Sequence, residues 1–170
     1  MTEKFKAFVL INTDVTHIKK VSGKLLKYKE IENIHELYGQ YDIILKLVTD
    51  NRIKAEEFIE DKVRHIKGIQ GTETLVVAKT IKESGTATTG LNEAEAYILF
   101  MVKYGEKLDV SQLLGKHKEV ESVHELYGQF DVIAKVKVKT QTELEDFIQK
   151  HIRQLKEVEG TETLIVSDVP

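Results

Sequence analysis

The sequence predicts an α+β fold built twice over, on three observations. The eight residues HELYGQYD at His35–Asp42 return as HELYGQFD at His124–Asp131. The run Gly71-Thr72-Glu73-Thr74-Leu75 returns letter for letter at Gly160–Leu164, again 89 positions later. Between these landmarks, each copy alternates β-branched runs with segments of helical apolar spacing. Two separated motifs that keep one offset mark a duplication. The period exceeds the roughly 20–50 residues of solenoid repeats, so each copy reads as a small domain.

The elements follow in order. Residues 4–13, KFKAFVLINT, are apolar and β-branched and predict a strand. Asp14 stands where a helix cap belongs, and Val15, Ile18, Val21 and Leu25 recur at helical spacing. In copy two, Asp109-Val110-Ser111-Gln112 is a capping-box pattern ahead of Leu113 and Leu114. Residues 31–38 and 41–48 predict two strands joined by Gly39-Gln40, a two-residue loop with glycine first. The strongest helix comes next. Asn51 caps a stripe of Phe58, Ile59, Val63 and Ile66 that ends at Gly68. In copy two, Thr140 and Glu143 form a capping box before Leu144, Phe147, Ile148, Ile152 and Leu155. A last strand is predicted from Thr72 to about Ala78. Strand, helix, strand, strand, helix, strand is the ferredoxin-like βαββαβ order.

Copy one is therefore expected over residues 1–81, a linker over 82–92, and copy two over 93–170. Gly85 and Gly90 sit among small hydroxyl residues, which is loop composition. The strands do not alternate as half-wet strands do. Ile43-Ile44-Leu45, with Leu47 and Val48 beyond, and Tyr97–Val102 are apolar on both faces. Two helices cover one face of a four-stranded sheet, and a domain of about 80 residues is already short of core. The expectation is two sheets packed face to face, helices outside, about a pseudo-twofold axis.

Composition excludes several functions. The net charge of −3 gives no strong pull toward nucleic acid or an anionic membrane. The absence of cysteine removes disulfides and thiolate nucleophiles. The apolar runs at 7–11 and 97–102 are far shorter than the ~20 residues of a membrane span. The charged opening MTEKFK is not a signal peptide. A cytoplasmic location is expected, with no membrane contact. His35 and His124 adjoin Glu36 and Glu125, but neighbours on a strand face opposite ways and cannot share one ligand. Packed histidines are expected, with no catalytic residue, no metal and no cofactor.

The stretches IHELYGQYDIILK and VHELYGQFDVIAK carry a resemblance, together with the Phe-Ile helix and the strands GTETLVV and GTETLIV. They resemble the effector-binding domain of the Lrp/AsnC family, also called the RAM domain, over essentially all of both copies. The resemblance implies a dimeric α+β barrel that often assembles further, commonly as four dimers in a ring. It implies small effectors, usually amino acids, at the interface between neighbouring dimers, near the hairpin and the threonine-bearing strand. The implied effector-binding residues are Gly39, Gln40, Tyr41, Asp42, Thr72 and Thr74. Their counterparts are Gly128, Gln129, Phe130, Asp131, Thr161 and Thr163. Full-length members carry a helix-turn-helix. The first strand here begins close to Met1, so direct DNA binding by this chain is not expected.

The residues leave alternatives open. Asp42 and Asp131 suit an effector's ammonium group, with turn N–H groups for its carboxylate; they equally suit an Asx turn. Thr72 and Thr74 share one strand face and either bind a ligand or simply favour a strand. Tyr38 with Tyr41, and Tyr127 with Phe130, suit an interface between assembled dimers. The expected function is a non-enzymatic sensor of an amino acid. It would act as a homo-oligomer or through DNA-binding Lrp/AsnC relatives. The alternatives are a purely structural oligomerisation module and an α+β barrel enzyme.

Overall fold

The computed structural model describes residues 3–84 and 93–167. The expected linker falls mostly outside them, at residues 85–92. The described chain forms two compact units, one reaching to Val77 and including Ser167, the other spanning Ala78–Val166.

The first unit contains β1 (Phe5–Thr13), α1 (Ile18–Leu25), β2 (Ile31–Tyr38), β3 (Ile43–Thr49), α2 (Arg52–Phe58) and most of β4 (Ile69–Glu83). The second repeats the order with β5 (Ala94–Val102), α3 (Lys107–Gly115), β6 (Val120–Tyr127), β7 (Val132–Val138), α4 (Gln141–Phe147) and β8 (Val158–Val166). The α+β class and ferredoxin-like order stand as predicted. β1 lies between β3 and β4, and β3 between β1 and β2, all antiparallel. β5, β7, β8 and β6 pair in the same way.

Pleating decides which residues meet the helices. Val9 and Ile11 share a cluster with Val21 and Leu25 of α1 and Ala55 and Phe58 of α2. The second unit gathers Ile98 and Phe100 with Val110, Leu114, Leu144 and Phe147. The opposite, helix-free faces are buried as well. Phe8, Leu10 and Ile44 are 3%, 0% and 1% exposed, and Tyr97, Leu99 and Ile133 are 2%, 0% and 1%.

Those faces are less uniformly apolar than the strands led us to expect. Lys46, Lys135, Glu95 and His124 are all buried. Lys46 pairs with Glu32 at 3.4 Å and Lys135 with Glu121 at 3.7 Å, the same pair in both repeats. A lysine stem packs among apolar residues while its ammonium reaches a carboxylate. Lys137 bonds Glu93 at 3.0 Å and approaches Glu95 at 3.7 Å. The Tyr97 phenol is pushed up by burial and by the charges of Glu95 and Glu121.

Several boundaries differ from the sequence reading. β3 begins at Ile43, so the hairpin connection is Gly39–Asp42 rather than two residues. β4 runs on to Glu83, so Lys82 and Glu83 are strand. Its far end is held in the second unit, where Lys82 Nζ donates to His117 O at 3.1 Å and Ser84 N to Glu121 O at 2.9 Å. α3 starts at Lys107, because Val110 N already donates to Glu106 O, which leaves Asp109 inside the first turn rather than at the cap. Asp14 caps nothing with its side chain; its carboxylate takes His17 Nδ1 at 2.6 Å, and Val15 is 85% exposed.

The second helix of each repeat is capped as predicted. Asn51 Oδ1 accepts from Lys54 N at 2.9 Å, and Thr140 Oγ1 from Glu143 N at 3.1 Å. Each then loosens into one π-helical turn, Ile59–Val63 and Ile148–Ile152. Arg64 N reaches Ile59 O at 3.0 Å and Arg153 N reaches Ile148 O at 2.9 Å.

Candidate functional site

The hairpin ends of the two units share one architecture. The Leu37 N–H donates to Asp42 O and the Leu126 N–H to Asp131 O, each at 2.8 Å, closing each loop. Gly39 and Gly128 adopt φ of 112° and 110° at the turn, a backbone that glycine takes without steric cost. Gly39, Gln40, Gly128 and Gln129 are exposed.

The two aspartates carry a structural duty. Asp42 N donates to Ile11 O at 3.0 Å, continuing the β1–β3 ladder by one bond past its end. The next strand donor, Thr13 N–H, finds no backbone carbonyl there, and Asp42 Oδ2 accepts it at 2.9 Å. In the second unit Asp131 N donates to Phe100 O, and Asp131 Oδ2 accepts the Val102 N–H, both at 2.8 Å. Each carboxylate thus commits one oxygen to its own fold.

The two loops differ around that shared plan. Lys107 Nζ stands 3.8 Å from Asp131 Oδ1 and donates to Leu126 O at 3.1 Å. Ile18 occupies the matching position of the first repeat. Tyr41 donates its hydroxyl to Glu73 Oε2 at 2.5 Å, whereas Phe130 is 4% exposed and has no hydroxyl to offer Glu162. Lys107 and Glu73 were missed in the sequence because neither adjoins the hairpin along the chain.

The threonines divide. Thr72 pairs with Ile11 and Thr161 with Phe100, the strand residues whose carbonyls receive the aspartate N–H groups. Two strand spacings, roughly 10 Å, separate Thr72 from Asp42. Thr74 pairs with Val9 and Thr163 with Ile98, two residues farther along. Thr74 opens into a different place, a groove of about 450 Å³ beside α2. The hairpin and Thr72 therefore share one end of the sheet, and Thr74 does not.

The histidines face away from their glutamates, as alternation requires. Glu36 reaches Lys19 of α1 at 3.1 Å and Glu125 accepts from Ser111 Oγ of α3 at 2.7 Å. His35 and His124 lie across from Ile44 and Ile133 on the helix-free faces. His124 is 1% exposed, with Nδ1 at 2.9 Å from Thr80 Oγ1. Among the described residues, no three His, Asp or Glu are placed to hold a metal ion, and no helix is long and apolar enough to cross a membrane.

The chain is thus two ferredoxin-like repeats with matched, exposed hairpin ends, and comparison with known proteins finds the same duplication. The sequence pattern of the Lrp/AsnC ligand binding domain matches residues 6–87 and again 95–170. The chain belongs to that family, as a tandem duplicate. The HTH-type transcriptional regulator FL11 of Pyrococcus furiosus is 38% identical over 78 residues, 46% of this chain and 51% of that protein. The proline dehydrogenase transcriptional activator of Rhizobium radiobacter is 27% identical over 81 residues, 48% of this chain and 52% of that protein. The chain spans about half the length of these relatives. Among solved structures, the siroheme decarboxylase NirDL is similar with a TM-score of 0.74 over 95% of this chain and 71% of that one, at 10% identity. At that identity the likeness concerns fold alone.

Proposed function

We propose that this protein is a non-enzymatic sensor of a small molecule, an amino acid by the chemistry of its hairpin ends. One observation carries the reading: a ligand-binding-domain pattern occurs twice, and in both repeats an exposed Gly-Gln turn adjoins an aspartate that gives one carboxylate oxygen to a strand N–H, with the other oxygen facing Lys107 in the second repeat. Turn N–H groups suit a carboxylate and the aspartate an ammonium group. Gly39 to Asp42, Thr72 and their counterparts Gly128 to Asp131 and Thr161 form the proposed contact set. Thr74 and Thr163 lie outside it. Effector binding shifts the assembly of the chain with itself or with DNA-binding relatives. Its net charge of −3 favours such contacts over direct contact with a polyanion.

The test is a thermal-shift screen of the twenty amino acids against wild type and a D42N/D131N double variant. Asparagine keeps an oxygen for the Thr13 and Val102 N–H groups, so the variant removes charge and spares the fold. A true effector at about 100 times its Kd stabilises the protein by about 2.7 kcal/mol, and the variant loses that gain. If no amino acid stabilises wild type, the sensor reading fails and a structural oligomerisation module replaces it.

A further inference from the structure

We propose a second amino-acid site, one per chain, in the groove of the first unit between α2 with its π turn and the outer part of β4. The proposal rests on the sensor reading and adds to it a place, separate from the hairpins, and a preference for an apolar side chain.

The floor is apolar. Phe5, Ala55, Ile59 and Val76 line it, and Thr74 contributes a hydroxyl. Val76 and Thr74 pair with Ala7 and Val9, so they share the helix-facing side of the sheet. The volume of about 450 Å³ falls in the range of small-ligand sites.

The wall is a charged stripe. Arg52, Glu56, Glu60 and Arg64 recur every four residues and line one side of the groove. Arg52 bonds Glu56 at 3.0 Å and Arg64 bonds Glu60 at 2.9 Å, so the cations stand at the ends and two carboxylates in the middle. Like charges four apart on a helix repel. An ammonium group seated between Glu56 and Glu60 relieves that repulsion, and a carboxylate on the same molecule reaches an arginine at either end. Exposed ion pairs of this kind are weakly held and exchange readily. The matching chemistry is a zwitterion on an apolar body, an α-amino acid with an aliphatic or aromatic side chain.

The duplication supplies the control. At the matching positions the second repeat has Gln141, Glu145, Gln149 and Arg153. One cation and one anion are gone, and Ala94 replaces Phe5 on the floor. The site therefore belongs to the first repeat, whereas a hairpin site would occur in both.

The experiment is calorimetric titration of the full chain with L-leucine and L-phenylalanine, repeated with 4-methylpentanoate and isoamylamine as half-ligands. We expect one molecule of amino acid per chain and at least tenfold weaker binding of either half-ligand. The R52Q/E60Q variant, which installs the second repeat's own residues, weakens binding at least tenfold at an unchanged melting temperature. T74V weakens it less, and D42N/D131N leaves it within twofold. Two molecules per chain, or binding lost in D42N/D131N and kept in R52Q/E60Q, overturns the groove and leaves the sensor reading standing. Failure of both probes while another amino acid stabilises through the hairpins overturns it as well. Failure of every amino acid removes both readings.

Discussion

The Asp42 carboxylate accepts the backbone N–H of Thr13 at 2.9 Å, and Asp131 does the same for Val102 at 2.8 Å. A side chain completes a strand ladder where the neighbouring strand has turned away. The residue that invites a functional reading is thus also a piece of the scaffold, and variants separate the two roles. Alanine strands a half-buried donor, which costs about 1–2 kcal/mol, while asparagine still accepts and costs less than about 1 kcal/mol. Urea denaturation of D42A against D42N measures the gap. Equal losses would mean that charge, not the hydrogen bond, holds the loop.

Gly68 and Gly39 both have positive φ, 104° and 112°, yet their surroundings differ. A Cβ at Gly68 would lie 2.4 Å from His17 Cβ, whereas one at Gly39 meets nothing within 4 Å. G39A should cost about 1 kcal/mol from backbone strain alone, and G68A about 2–4 kcal/mol from strain and collision together. Melting temperatures of the two variants give the order directly.

Tyr41 and Glu73 form a bond that the second repeat lacks. Y41F copies Phe130 and should cost about 0.5–1.5 kcal/mol. A double-mutant cycle with E73Q checks the pairing: the two losses should fall well short of additive.

His117 packs edge-on against Phe147 and lies 4.6 Å from the His151 ring, centroid to centroid. Burial lowers the His117 pKa from 6.5, and His151 and Lys82 lower it further against the opposing pull of Glu119. The folded state therefore binds fewer protons than the unfolded state. The contribution to stability is complete above pH 6.5 and is lost as pH falls from there through the lowered folded value. Matching positions in the first repeat hold Tyr28, edge-on to Phe58 at 5.2 Å, and Lys62. H117Y should flatten the difference in urea midpoint between pH 7.5 and pH 5.5. An unchanged difference would place the sensitivity elsewhere.

The order of elements, the duplication and the helix-facing core were legible in the chain. Period-two and helical spacings report which face of an element is buried, and Asn51 and Thr140 act on donors only three residues away. The hairpin was legible as a place because Gly39 and Asp42 are neighbours. What Asp42 and Tyr41 do was not, since their partners Thr13 and Glu73 lie 29 and 32 positions away and meet them only through strand pairing.

The buried Lys46 and Lys135 also escaped the reading: on a strand, one lysine among apolar residues looks like a surface residue until Glu32 and Glu121 are brought beside it. Thr72 and Thr74 share one strand face, and that Thr74 also borders a groove beside α2 follows from how that helix packs on the sheet. The sequence by itself determined the repeated βαββαβ plan, because local periodicity and capping act over a few residues. Only the tertiary structure decided which polar groups meet, because those meetings depend on register and packing between segments far apart in the chain.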